Sequence, residues 1–246
     1  MEVSSNIKAV YSEMYDPSII EWRTMAAKDK ARNIIDVSAN LKFNNVLEVG
    51  CGEGSILSWL SKWNFSENLY GIDISESGIE ITKSKNINNL KEALTYDGYH
   101  IPYENDHFDL IICSHVMEHV EHERVLLREI KRVSKYQIFE VPTDFSFYVD
   151  KKLKYFLSYG HINIYTPALF RFLILSEKFI IVREKCNLYE NNILNYLYKG
   201  SKLKLIIVKI KRLILKSIPY LSGIKPNSYV VLTVKDEKEI SIFESE

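Results

Sequence analysis

The sequence predicts an α/β fold, a mostly parallel sheet with helices on both faces. Three observations carry this. Val46 to Leu60, VLEVGCGEGSILSWL, reads as a buried strand, a tight glycine turn and a helix. Short apolar runs of strand length recur at 69–75, 108–113, 137–142, 179–185 and 228–234, with amphipathic or polar segments between them. The chain has 246 residues, 46% of them hydrophobic, enough for one generous domain or a domain with an insertion.

Bulk composition narrows the function. Lys+Arg and Asp+Glu are both 32, so the formal net charge is zero and no global basic field exists to hold nucleic acid. The three cysteines, Cys51, Cys113 and Cys186, form no C-x-x-C pair, so neither a zinc ribbon nor a disulfide framework is expected. A reduced, cytoplasmic setting follows as the expectation. The start, MEVSSNIKAVYSEMYD, lacks the apolar core of a secretory leader, and no uncharged run reaches the length of a membrane span.

The elements follow in order. Residues 1–45 predict a helical N-terminal cap, with Tyr11, Met14, Tyr15, Ile19, Trp22 and Met25 at near-helical spacing. A core of 46–185 comes next. Its second strand, Leu69 to Ser75, carries Asp73, 23 residues beyond Gly50, where a carboxylate can accept hydrogen bonds from ribose hydroxyls or cap the next helix. Ala93 to Tyr99 is expected as the end of a third strand. Phe108 to Cys113 is a continuous apolar run, as for a buried parallel strand. Glu121 to Val133 predicts a helix with Val125, Leu126, Ile130 and Val133 inward. Gln137 to Pro142 is the fifth strand. Thr166 and Pro167 fit the cap and first position of a helix. Residues 186–227 form an insert with no acid between Glu190 and Asp236. Inside it Leu203, Ile206, Ile207, Ile210, Leu213, Ile214 and Ile218 trace one helical face, expected to pack on the core or on a second copy of the chain. Docking to an anionic membrane surface or a phosphorylated substrate is the sharper alternative. Residues 228–246 supply the last strand and a tail.

Two readings compete for the glycine loop. A dinucleotide loop wants G-x-G-x-x-G. Here Gly50, Gly52 and Gly54 alternate, and Glu48 stands two residues before the first. This E-x-G-x-G-x-G pattern resembles motif I of class I S-adenosylmethionine (SAM) dependent methyltransferases. The run Asp97 to Asp109, DGYHIPYENDHFD, resembles a second segment of that family, and SHVMEHV from Ser114 a third. GHINIYTP, 160–167, is similar to a segment of many bacterial small-molecule methyltransferases. The resemblance spans roughly 45–185 and 228–235. It implies a Rossmann-like seven-stranded sheet in the order 3-2-1-4-5-7-6 and methyl transfer from SAM, giving S-adenosylhomocysteine. It implies that Glu48 orients the loop and the methionine amino group, with Gly50, Cys51 and Gly52 along the carboxylate and ribose. Asp73 would hold the ribose, Ile74 the adenine face, Asp97 with Gly98 the adenine edge, and Ser114 with His115 the methionine end. Tyr11, Tyr15 or Trp22 could cover the cofactor, although packing is the simpler reading.

His161, His115 and Asp144 are the candidates for proton removal from the acceptor. His161 is equally readable as a structural histidine, and Asp144 as a turn residue. His115, Glu118 and His119, with His161, could also hold a divalent metal, as an E-x-x-E-H run does in some methyltransferases; the first position here departs from that pattern, and the reading without a metal is preferred. The resemblance implies a small acceptor methylated on O or N, such as a sugar- or phosphate-bearing precursor of a bacterial surface polysaccharide. A nicotinamide oxidoreductase and a non-catalytic SAM-binding protein are the alternatives.

Overall fold

The computed structural model describes residues 20–143, 153–158, 160–217 and 226–236. Tyr11, Tyr15, Asp144 and Ile218 lie outside the described residues.

Helix α1 (Ile20–Val37) precedes β1 (Phe43–Val49), α2 (Ser55–Lys62), β2 (Ser66–Asp73), α3 (Glu76–Ser84) and β3 (Leu90–Thr95). Then come β4 (Phe108–Ser114), a 3₁₀ turn (Met117–His119), α4 (Glu123–Val133) and β5 (Ser134–Pro142). The remainder is α5 (Leu153–Ser158), α6 (Pro167–Ser176), β6 (Phe179–Asn187), α7 (Asn191–Leu197), α8 (Lys202–Ser217) and β7 (Ser228–Lys235). All seven strands form one sheet in the order β3-β2-β1-β4-β5-β7-β6, parallel except for β7, which pairs antiparallel with both neighbours.

Alternation along each strand sends its side chains to opposite faces. Val46, Leu110, Ile112, Ile138 and Leu232 meet Ala27, Ala31 and Ile34 of α1 and Leu57 and Leu60 of α2. Leu47, Ile111, Cys113, Phe139 and Val231 meet Leu126, Leu127 and Ile130 of α4 and Phe170 and Ile174 of α6. The same alternation places Glu48 and Glu140 on the α1 side, so two buried carboxylates point at a helix that must answer them.

Three expectations need correction. The helix expected from Glu121 starts at Glu123, and Val125 faces outward, 37% exposed, while Leu127 takes its inner place. The third strand stops at Thr95 instead of reaching Tyr99. The Asp97 carboxylate accepts from the Tyr99 and His100 amides, at 2.8 and 2.6 Å, and Gly98 has φ +100°, so the chain turns there. The insert does form a helix, α8, but its aliphatic stripe does not cover the core: Leu203, Ile206, Ile207, Ile210, Leu213 and Ile214 are each more than half exposed. The inner side of α8 rests instead through Leu205, Val208 and Leu215, all partly buried, with Arg212 paired to Glu190 at 2.9 Å. Thr166 caps α6, accepting from the Leu169 amide, with Pro167 at its first position, as expected.

Candidate active site

The site begins where β1 ends. Gly50 and Cys51 both donate to the Ile72 carbonyl, at 2.8 and 3.0 Å, prolonging the β1–β2 pairing into the turn. Gly50 has φ +74°, and a Cβ there would sit 2.3 Å from Val116 Cγ2, so only glycine lets the loop lie against the β4 turn. Gly54, also left-handed, opens α2 and packs against Thr82. The first amides of α2 therefore face the space above the sheet, with the positive end of the helix dipole.

Asp73 ties loop to strand. Its Oδ2 accepts from the Gly52 amide at 2.7 Å and its Oδ1 from the Ser75 amide at 2.8 Å. Ser75 in turn caps α3, accepting from the Gly78 amide. Each Asp73 oxygen keeps a lone pair for a ligand hydroxyl. Burial raises its carboxyl pKa, against the pull of those amides.

Glu48 lies two residues before the loop, 2% exposed. Among the described residues its Oε2 has no hydrogen-bond partner. Burial pushes its pKa well up, offset in part by the charge of Lys30 from α1. Lys30 is half-buried and has its own pKa lowered by burial, while Glu140, Glu118 and Glu48 pull it back. An ammonium in the field of three buried acids and lining a cavity suits a ligand carrying both an amine and a carboxylate.

These groups wall a cavity of about 390 Å³. Glu48, Gly50, Cys51, Gly52, Asp73, Ile74, Gly98, Ser114 and His115 all line it, so among the described residues every expected cofactor residue except Asp97 converges here. Asp97 is not in this wall, and its Oδ1 closes its own turn. Ser114 donates its hydroxyl to Glu140 Oε2 at 3.1 Å. Trp22, Lys30, Tyr96 and Tyr99 also line the cavity. Sequence reasoning missed the last three. Trp22 stacks on Tyr196 of α7, with centroids 5.8 Å apart.

The opposite end carries the histidines. His115 adopts φ +57° and donates its amide to the Glu140 carbonyl. Its Nδ1 lies 3.3 Å from Glu118 Oε1. That is ion-pair range, but neither Glu118 oxygen has a well-aligned hydrogen bond among the described residues. Glu118 is 1% exposed; burial alone would raise its pKa, yet His115 and His119 beside it win and hold it at about 2. His119 shares Nδ1 with the Gly160 carbonyl at 2.9 Å, which turns Nε2 toward Glu118 at 3.9 Å. Burial lowers the His119 pKa despite Glu118.

The GHINIYTP segment clasps this turn. The amides of Ile162 and Asn163 donate to the Glu118 carbonyl, at 2.9 and 3.0 Å. The Asn163 amide group bonds the Met117 and Val120 carbonyls. His161 is thereby set edge-on to His119, centroids 4.9 Å apart. Ligand atoms of Glu118, His119 and His161 fall within 4.8 Å of one another, a spacing that could hold a metal ion. A second cavity of about 880 Å³, walled by α1, β6 and α7, shares Trp22, Ala26, Lys30, His115 and His161 with the first.

The cleft thus joins a glycine loop to an acid at the end of β2, in a sheet closed by an antiparallel seventh strand. A family model described as a methyltransferase domain matches residues 21–172. The chain belongs to this methyltransferase-domain family. Its sheet order and glycine loop are those of the class I branch, whose cofactor is SAM. The methyltransferase GfsG of Streptomyces halstedii is 29% identical over 130 residues, covering 50% of this chain and 45% of that one. The mitochondrial ubiquinone biosynthesis O-methyltransferase of Candida albicans is 34% identical over 93 residues, covering 36% of this chain and 28% of that one. The chain thus spans less than half of either relative. Among solved structures, a SAM-dependent methyltransferase from Aquifex aeolicus superposes with a TM-score of 0.56 at 15% identity, covering 93% of this chain and 98% of that one. Magnesium protoporphyrin IX methyltransferase from Synechocystis PCC 6803, with bound S-adenosylhomocysteine, gives 0.61 at 14%, covering 94% and 99%. At such identities these two likenesses speak for the fold.

Proposed function

We propose that this chain transfers the methyl group of SAM to a hydroxyl oxygen of a small polar metabolite. The observation that carries the reading is the junction of the two cavities at His115 and His161, one cavity walled by the glycine loop and Asp73, the other open to an acceptor. In this assignment Asp73 takes the ribose hydroxyls, Glu48 the methionine amine and Lys30 the carboxylate, while Ile74 and Tyr99 flank the adenine. The sulfonium methyl is already electrophilic. The protein has to hold the acceptor oxygen in line with the S–CH₃ bond, and such positioning is worth about 7–11 kcal/mol in good intramolecular models. A hydroxyl must also lose its proton, and His161 or His115 takes it as the C–O bond forms and the S–C bond breaks. Support for an oxygen acceptor comes from the relative named as an O-methyltransferase. Asn33, Asp36, Lys185 and Asn187 give the second cavity a wall suited to a sugar- or phosphate-bearing acceptor.

Calorimetric titration with SAM, S-adenosylhomocysteine and NADH tests the cofactor half. SAM and its product are expected to bind in the micromolar range and NADH not at all; binding of NADH alone overturns the assignment. Mass spectrometry of hydroxylated sugar and nucleotide-sugar panels incubated with SAM then tests the acceptor half, through a single methyl gained on oxygen. Methylation found only on nucleic acid or protein sinks it.

The convergence of Glu118, His119 and His161 favours a second reading, in which those three hold a divalent cation that lowers the pKa of the acceptor hydroxyl. A chelator leaves turnover unchanged under the first reading. Under the second it abolishes turnover, and added metal restores it.

A further inference from the structure

Helix α8 is seated on the protein by one side and leaves the other bare. At about 100° per residue, Leu203, Ile206, Ile207, Ile210, Leu213 and Ile214 fall within an arc of roughly 120°. All six are exposed, from 52 to 70%. The exposed Lys204 and Lys211 border one edge of that arc; Lys202 and Lys209 border the other. Leu205, Val208, Arg212 and Leu215 fill the side turned to the protein. No acidic residue occurs from Asn191 to Lys235. Burying such a stripe is favourable, and one of this size on a monomer marks a contact surface.

Charge decides what covers it. A second copy laid along the same stripe would set lysine against lysine along both edges, with no acid in the segment to answer them. Among the described residues no helix is long and apolar enough to cross a membrane, so α8 cannot span one. We propose that α8 is an interfacial helix that lies in the surface of an anionic phospholipid bilayer, its aliphatic stripe among the acyl chains and its lysines at the headgroups. An apolar stripe between two cationic margins on a helix of sixteen residues matches both chemistries of such a surface. The helix is joined by a short turn to α7, whose Ile193, Tyr196 and Leu197 wall the second cavity, so docking brings that cavity beside the bilayer. The inference stands on α8 alone and does not depend on the methyl-transfer reading.

The test is co-sedimentation of the intact chain with vesicles of phosphatidylcholine alone and of equal parts phosphatidylcholine and phosphatidylglycerol. Binding to the anionic vesicles is expected, with little to the neutral ones, and it should weaken as salt rises. Each lysine near an anionic surface is worth roughly fivefold in partitioning. Lys202→Glu/Lys204→Glu/Lys211→Glu should therefore lose at least about a hundredfold. Ile206→Ser/Ile207→Ser/Ile210→Ser should lose binding to the anionic vesicles although all its lysines remain. All six positions are exposed, and an unchanged melting transition and SAM affinity confirm that each variant is folded. A folded wild-type chain that ignores anionic vesicles overturns the proposal, as does binding that survives both triple variants. So does a dimer in sedimentation equilibrium that the serine variant dissociates, which would assign the stripe to a second copy.

Discussion

The two ends of the cleft are built by different means. At the cofactor end, the contacts come from backbone: two amides on the Ile72 carbonyl, the Gly52 amide on Asp73, a left-handed Gly50 pressed against Val116. At the histidine end the amides of Ile162 and Asn163 clasp the Glu118 turn, but side chains of segments far apart in sequence complete it. Asn33 of α1 and Ser228 of β7 both donate to Glu140 Oε1 on β5, and His161 meets His119 across a loop. Backbone recognition demands particular residues at fixed local spacing. Side-chain recognition needs only that some donor arrive from somewhere. The cofactor end should thus respond sharply to single changes in binding, and the acceptor end in turnover.

The largest effect is expected from Asp73→Ala, which removes the partner of the Gly52 and Ser75 amides and the ribose acceptor together. SAM affinity should fall roughly a hundredfold, about 2.7 kcal/mol, by calorimetry. An unchanged affinity would break the assignment of β2 to the nucleoside. Gly50→Ala is next. Its Cβ meets Val116 in a strained backbone, so a loss of about 2–3 kcal/mol and a melting point lower by roughly 5–10 °C are expected in scanning calorimetry. Glu118→Gln should divide the two ends. SAM affinity should stay within about threefold while turnover falls by at least tenfold, with the acidic limb of the pH–rate profile displaced, because His115 and His119 lose the charge that positions them.

Two buried carboxylates sharpen the contrast in their response to pH. Glu118 has its folded pKa depressed to about 2. Its contribution to stability is complete above the unfolded value near 4.3 and disappears as pH falls from there toward 2. Glu48 has its folded pKa raised by burial, so its contribution is complete below the unfolded value and is lost as pH rises through the folded one. Denaturant unfolding across pH should show Glu118→Gln removing the acid-side loss of stability and Glu48→Gln gaining relative stability toward neutral pH. The smallest effect is reserved for Thr166→Ala, which takes the cap from α6 outside the cleft. About 1 kcal/mol of stability should go, with kinetic constants unmoved.

The same division explains what could be read in the sequence. The strands, the glycine loop and Asp73 were legible because strand period and glycine conformation are local, and the sheet order followed from the family resemblance that those residues carry. Lys30 and Tyr99 were not. A lysine on an amphipathic helix looks like any solvated lysine until the sheet sets Glu48 and Glu140 beneath it, and Tyr99 was spent on an expected strand that the Asp97 turn cuts short. Leu127 displaced Val125 because, at about 100° per residue, Leu126, Leu127, Ile130 and Val133 share one helical face and Val125 falls off it. The stripe of α8 was legible as a stripe, but nothing in its spacing says whether a helix buries or displays it.

The register of the last two strands has a bearing on how this protein can change over time. Asn187 stands opposite Ser228, so the chain leaves the sheet and returns to it at one point, after building all of α7 and α8 in between. Each doubling of such an excursion costs only about 0.6 kcal/mol of closure entropy. The excursion is therefore a cassette. It can be lengthened or replaced without disturbing the pairing of β5, β7 and β6, and with it goes one wall of the second cavity, while the glycine loop is left untouched.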